Sequence, residues 1–107
     1  MDLIKVPIEK LNPAPYNPRK ITEKQLELLE KSIKEDGYIE PLVWNKQTGN
    51  LVAGHQRLKI LKKLGNKEIE VVVVYVSEKR EKVLNLRLNK SAGEWDFTQL
   101  ADLVQAL

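Results

Sequence analysis

Apolar residues recur along the chain in two rhythms, one with the period of a strand and one with the period of a helix. Leu3-Ile4-Lys5-Val6-Pro7-Ile8 alternates and predicts a short strand. The stretch Asn12–Arg19 carries Pro13, Pro15 and Pro18, which forbid regular structure and hold the backbone extended. Thr22 followed by Gln25 is a capping-box signature, and Leu26, Leu29 and Ile33 then fall at helical spacing until Gly37 supplies a stop. Tyr38–Asn45 reads as a strand interrupted by Pro41. Gln47-Thr48-Gly49-Asn50 reads as a turn and Leu51-Val52-Ala53 as the returning strand of a hairpin.

After Ala53 the period switches. Leu58, Ile60, Leu61 and Leu64 predict a helix over His55–Leu64, entered at Gly54 and closed by Gly65. Ile69–Val76 is the strongest strand signal, and its four consecutive valines suggest burial on both faces. Ser77 is a natural N-cap for a helix with Val83, Leu84 and Leu88 inward and Glu78, Lys79 and Glu81 outward. Ser91-Ala92-Gly93 ends it. Asp96 caps a last helix carrying Leu100, Leu103, Val104 and Leu107 on one side. That apolar pattern is still running at Leu107, with no C-cap, which points to a piece of a longer protein.

Composition narrows the class. A length of 107 residues fits one domain. No cysteine is present, which excludes disulfides, thiolate chemistry and a Cys-ligated zinc site. The longest apolar run, Val71–Val74, is far too short for a membrane span. The N-terminus has neither the basic region nor the cleavage site of a signal peptide. A cytoplasmic location with no membrane partner is the expectation.

Charge adds a location. Eighteen basic and 15 acidic residues give a net charge of +3. The first 53 residues balance at 8 of each sign, whereas residues 54–67 hold Arg57, Lys59, Lys62, Lys63 and Lys67 and no acid. Such a stretch attracts phosphate, although on charge alone a solvated helix face is the favoured reading. It begins where Leu51–Arg57 reads as strand, glycine and helix start. The first turn of a helix presents unpaired N–H groups and a partial positive charge, so it can hold an anion. Gly54 permits close backbone approach, and Arg57 can contact a phosphate bidentately. Taken alone, Gly-x-x-Arg is also an ordinary strand-to-helix turn with a surface arginine.

A wider set of motifs changes the weighting. Pro15-Tyr16-Asn17-Pro18-Arg19, then Leu29 and Ser32–Val43, then Val52-Ala53-Gly54-His55-Gln56-Arg57-Leu58-Lys59 resemble the N-terminal domain of ParB-type partition proteins. That superfamily includes sulfiredoxin and ParB-like domains associated with DNA methyltransferases and phages, often labelled ParB-like nucleases. The resemblance covers roughly residues 3–95. It implies an α/β (α+β) fold, a small mixed sheet with flanking helices, and a cleft for a nucleoside triphosphate, CTP or ATP, with Mg²⁺. It divides the chain into a nucleotide-binding domain over residues 1–95 and the start of a further helix over 96–107. In ParB proteins the nucleotide gates a clamp on DNA, so DNA and a second copy of the chain are the implied partners.

Carried over position by position, the phosphate box Gly-Glu-Arg-Arg stands here as Gly54-His55-Gln56-Arg57, and only Gly54 and Arg57 match. Gly37 with Glu40-Pro41-Leu42 matches the strand entrance on the base and sugar side, Glu40 replacing a common Gln. The later Glu-Asn motif appears as Leu88-Asn89, which keeps Asn89 and loses a carboxylate associated with Mg²⁺. Binding of a triphosphate is thus expected, and its hydrolysis is left open as a weak activity. A sulfiredoxin needs a cysteine in the box, so that branch is excluded. The competing reading is a DNA-processing or targeting domain, and a third is a dimerisation module with no ligand. A two-metal nuclease wants paired carboxylates; near the Gly-x-x-Arg box the only close acidic pair is Glu94 and Asp96, and Asp96 already has a capping role. No catalytic residue and no metal ligand is assigned. A lone His55 cannot build a metal site; it either donates to a phosphate or lies on the surface. Arg19, Lys59, Lys62 and Lys63 are the candidates for DNA or phosphate contact. Trp44 and Trp95 are expected at the rim of the core. No helix-turn-helix pattern is present, so sequence-specific DNA reading falls outside this chain.

Overall fold

A computed structural model describes residues 3–16 and 21–88. Its strands are β1 (Leu3–Pro7), β2 (Leu42–Asn45), β3 (Leu51–Ala53) and β4 (Glu68–Val74). Its helices are α1 (Glu23–Asp36), α2 (His55–Lys63) and α3 (Glu78–Leu88), with a 3₁₀ turn over Ile8–Lys10. The expectations for Asn89 and Arg19, and for the helix from Asp96 with Trp95 before it, lie outside the described residues.

The strands form one sheet in the order β1-β4-β2-β3. β4 is antiparallel to β1, with Leu3 opposite Val72 and Pro7 opposite Glu68. It is parallel to β2, with Leu42 opposite Val71 and Asn45 opposite Val74. β2 and β3 make the antiparallel hairpin expected across Gln47–Asn50. A parallel pair needs a crossover, and β3 with α2 supplies it between β2 and β4. Pro7, which cannot donate to a ladder, ends the edge strand β1, where its lack of an N–H costs nothing.

The core joins Val6, Ile8 and Leu11 to Leu42, Leu51, Leu58, Leu61, Ile69 and Val71. α1 packs on α2, α2 on β2, and α3 on β3. α1 starts on the expected capping box: Thr22 accepts from the Gln25 amide at 3.2 Å, and Gln25 Oε1 accepts from the Thr22 amide at 3.0 Å. Gly37, at φ 81°, ends it. Among the described residues no helix is long and apolar enough to cross a membrane.

Three expectations are corrected. The valine run is not buried on both faces: Val71 is fully buried, whereas Val72, Val73 and Val74 are half-buried. The helices pack chiefly on one another and on β2 and β3, so the faces of β4 beyond Val71 are only partly covered. Glu81, expected outward on α3, is completely buried, and Leu88, expected inward, is 47% exposed. The buried residues of α3 are Glu81, Val83, Asn85 and Leu86, because polar groups at the end of β2 and in the hairpin turn offer partners for the acid, and the Val52 carbonyl of β3 accepts from the Asn85 amide.

Candidate functional site

The site forms where β3 runs into α2. Gly54 is the N-cap of α2 and sits in the left-handed region at φ 95°. A Cβ there would lie 2.2 Å from Leu42 Cδ2 and 3.1 Å from Arg57 Nη2, so only glycine fits. Unlike α1, α2 has no side chain capping its N-terminus. The donors of its first turn are therefore left to an outside acceptor.

Arg57 folds back over this turn, its Nη2 against Gly54. Its Nη1 donates to Glu40 Oε2 at 3.0 Å, and the arginine side chain is 19% exposed against 77% for Glu40. The guanidinium is thus largely sunk, while its carboxylate partner is in solvent and readily displaced. Arg57 Nε and Gln56 Oε1 are buried with no hydrogen-bond partner. A buried donor left unmade costs about 1–3 kcal/mol, so an anion accepting from the Arg57 edge would relieve it.

Tyr38 sets the entrance. Its hydroxyl donates to the Glu70 carbonyl at 2.5 Å and accepts from the Leu42 amide at 2.7 Å, pinning the segment before β2 onto β4. Burial raises the pKa of that phenol, and the hydrogen bond from Leu42 and the nearby Arg57 charge pull the other way. This anchor brings Glu40 to Arg57. Pro41 and Leu42 continue into β2, and Leu42 packs against Gly54. Gly37 stays at the end of α1 as a stop, with nothing near the position of an added Cβ.

His55 does not lie on the open surface. Its Nε2 accepts the Ala14 amide at 3.0 Å, so that nitrogen is unprotonated and only the Nδ1 side can donate. Burial pulls its pKa down to about 4, partly offset by the negative charge of Glu81. His55, Gln56, Lys59 and Lys62 line an open groove of about 230 Å³ whose far wall is Pro13 and Ala14. Lys63 is drawn away instead, its Nζ 2.8 Å from Glu30 on α1. The acid-free stretch of sequence therefore meets acids in space, and Lys59 and Lys62 keep the charge that faces the groove.

A buried acid and its four donors, a cluster that the sequence did not point to, stand behind this site. Glu81 accepts from Tyr16 Oη at 2.5 Å, Asn45 Nδ2 at 2.7 Å, Asn50 Nδ2 at 3.2 Å and the Thr48 hydroxyl. Burial alone would raise its pKa, but these four donors outweigh burial and hold it below the usual carboxylate range. The Tyr16 phenol is pushed well above its ordinary value, first by burial and then by donating to that carboxylate. The sequence signal was faint: Glu81 and Asn85 lie four apart on one helix face, and Asn45 closes an otherwise apolar strand.

A mixed four-stranded sheet with a glycine-entered helix beside its parallel pair defines the class: the chain belongs to the ParB N-terminal domain family, which it matches over residues 1–90. Among its relatives is a probable chromosome-partitioning protein ParB of Campylobacter jejuni, 36% identical over 100 residues, covering 91% of this chain and 36% of that protein. The chain thus spans about a third of the length of the curated relatives it matches. A pNOB8-like ParB-N domain superposes with a TM-score of 0.73 at 28% identity, over 97% of this chain and 43% of the other. A C-terminally truncated ParB of Caulobacter crescentus, complexed with CTP-γ-S, superposes with a TM-score of 0.73 at 24% identity, over 100% of this chain and 63% of the other, and so shares its fold.

Proposed function

We propose that the chain is a nucleoside-triphosphate-binding module, CTP first and ATP second, whose phosphates sit on the first turn of α2. The observation that carries the proposal is the uncapped helix start at Gly54 with the Arg57 guanidinium folded over it and Arg57 Nε left unpartnered. A bidentate arginine beside free backbone N–H groups is a chemistry suited to phosphate. Gln56 Oε1 adds an acceptor for a ligand hydroxyl or amino group. The CTP-γ-S complex of the Caulobacter protein supports the choice of CTP.

In this reading residues 1–95 form the binding unit, and residues 96–107 begin a helix that passes occupancy on to DNA association or pairing with a second copy. Asn89 and Arg19 are further phosphate contacts, and Lys59 and Lys62 steer polyanions toward the groove. Mg²⁺ would be held mainly by the phosphate oxygens, because among the described residues no three His, Asp or Glu side chains come together. Calorimetric titration with CTP, ATP and GTP, with and without Mg²⁺, tests the proposal. Saturable binding of a triphosphate that Arg57→Ala abolishes, with the fold retained by circular dichroism, is the expected result. No binding at millimolar nucleotide would refute it.

A further inference from the structure

We propose that Glu81 is a positioning residue for the triphosphate site: from α3 it holds Tyr16, and through Tyr16 the segment Pro13–Tyr16 that walls the groove beside His55 and Gln56. This role rests on the nucleotide reading and deepens it.

The segment has few ways of being held. Pro13 and Pro15 carry no N–H, so the backbone offers donors only at Ala14 and Tyr16. Its root is tied to the hairpin: the Asn12 amide donates to the Gly49 carbonyl at 3.2 Å, and the Leu51 amide donates to the Asn12 carbonyl at 2.7 Å. Beyond that root two side chains pin it. His55 Nε2 takes the Ala14 amide, and Glu81 takes the Tyr16 hydroxyl. The Lys82 ammonium also lies over the Tyr16 ring, 5.4 Å from its centroid. A continuous path therefore runs from α3 through Glu81, Tyr16 and Ala14 to the first turn of α2.

A fully buried carboxylate is costly to desolvate, and here four neutral donors, with no ion pair to it among the described residues, offset that cost. What the carboxylate does, and an apolar group could not, is gather Tyr16, Asn45, Thr48 and Asn50 onto one point. It thereby registers the groove wall against the hairpin turn and α3. A stiff two-proline segment with pins at both ends is preorganised, and preorganisation is what a small open groove needs in order to hold a ligand.

The test uses Tyr16→Phe, which removes one hydroxyl and leaves Glu81 its three other donors, with Glu81→Gln as the second variant. Two quantities are read on folded protein, well below the melting temperature: hydrogen exchange at the Ala14 amide, and CTP affinity by calorimetry. Loss or weakening of the charge-assisted bond that holds Tyr16 should raise Ala14 exchange about tenfold or more in both variants. CTP affinity should fall severalfold, whereas a purely structural role would lower the melting temperature and leave affinity unchanged. Unchanged Ala14 exchange in both variants overturns the proposal, as does faster exchange with unchanged affinity. If the parent protein binds no nucleotide while Tyr16→Phe still frees Ala14, the nucleotide reading itself fails and Glu81 is reduced to a clamp.

Discussion

Replacing Gly54 by alanine puts a single methyl where two separate physical costs meet. The first is backbone strain: at φ 95° an L-residue pays about 1–2 kcal/mol relative to glycine. The second is overlap. The new Cβ would stand 2.2 Å from Leu42 Cδ2, well inside the contact distance of about 3.5–4.0 Å. Leu42 is fully buried in β2, which pairs with β4 and is packed by α2. Overpacking of this kind costs about 1–3 kcal/mol, so the two terms together predict a loss of about 2–5 kcal/mol, read as a shift in urea midpoint. Leu42→Val separates them. That change alone should cost about 1 kcal/mol, and in the Gly54→Ala background it should recover about 1–2 kcal/mol by withdrawing the clashing methyl while leaving the backbone strain in place. Triphosphate affinity should fall in Gly54→Ala beyond what stability explains, because the same Cβ sits 3.1 Å from Arg57 Nη2. A Gly54→Ala protein within about 0.5 kcal/mol of the parent would refute the reasoning, since that is the size of an ordinary surface change.

Glu40→Gln removes the carboxylate paired with Arg57 and keeps its shape, so triphosphate affinity should rise about two- to fivefold, an effect that added salt should shrink. The pH dependence of stability should show His55. Its folded pKa of about 4 lies below the ordinary 6.5, so the unfolded chain takes up a proton that the folded one refuses, and stability falls as pH drops from about 6.5 toward 4. After allowing for the part of the ring that solvent still reaches, the loss is about 2–3 kcal/mol, and His55→Gln should flatten the urea midpoint between pH 6.5 and 4.5. Below that window the depressed Glu81 carboxylate adds its own loss, because its contribution disappears as it protonates. Thr22→Ala should cost about 1 kcal/mol in urea denaturation by opening the capping box of α1.

The elements that sequence reading located were those written in local chemistry. Thr22 and Gln25 announced a helix start, Gly37 a stop, and Gly54 a strand-to-helix turn, because each answers to its own few neighbours. Arg57 was legible for the same reason, as it lies one turn from the glycine it covers. Its pairing with Glu40 was not, because Tyr38 sets it by reaching across to the Glu70 carbonyl. α3 misled most. Its apolar residues suggested one face, and the observed face is governed by Tyr16, Asn45, Thr48 and Asn50, which come to Glu81 from two distant stretches of chain. A buried acid is invisible to periodicity when its partners are far away in sequence.

The place of β4 in the sheet governs how the chain can be made. β4 pairs on one edge with β1 and on the other with β2, so without it the sheet is a hairpin and a stray N-terminal strand. Leu3 finds its partner only when Val72 exists. During synthesis from the N-terminus, β1 must therefore wait unpaired while most of the described chain is added, with an open strand edge and the apolar side chains of Leu3 and Ile4 in water. Late, long-range pairing of this kind slows folding relative to a chain held together by local contacts. Any truncation before Glu68 should leave a chain that can collapse and self-associate but cannot assemble the turn at Gly54 against the Leu42 side chain.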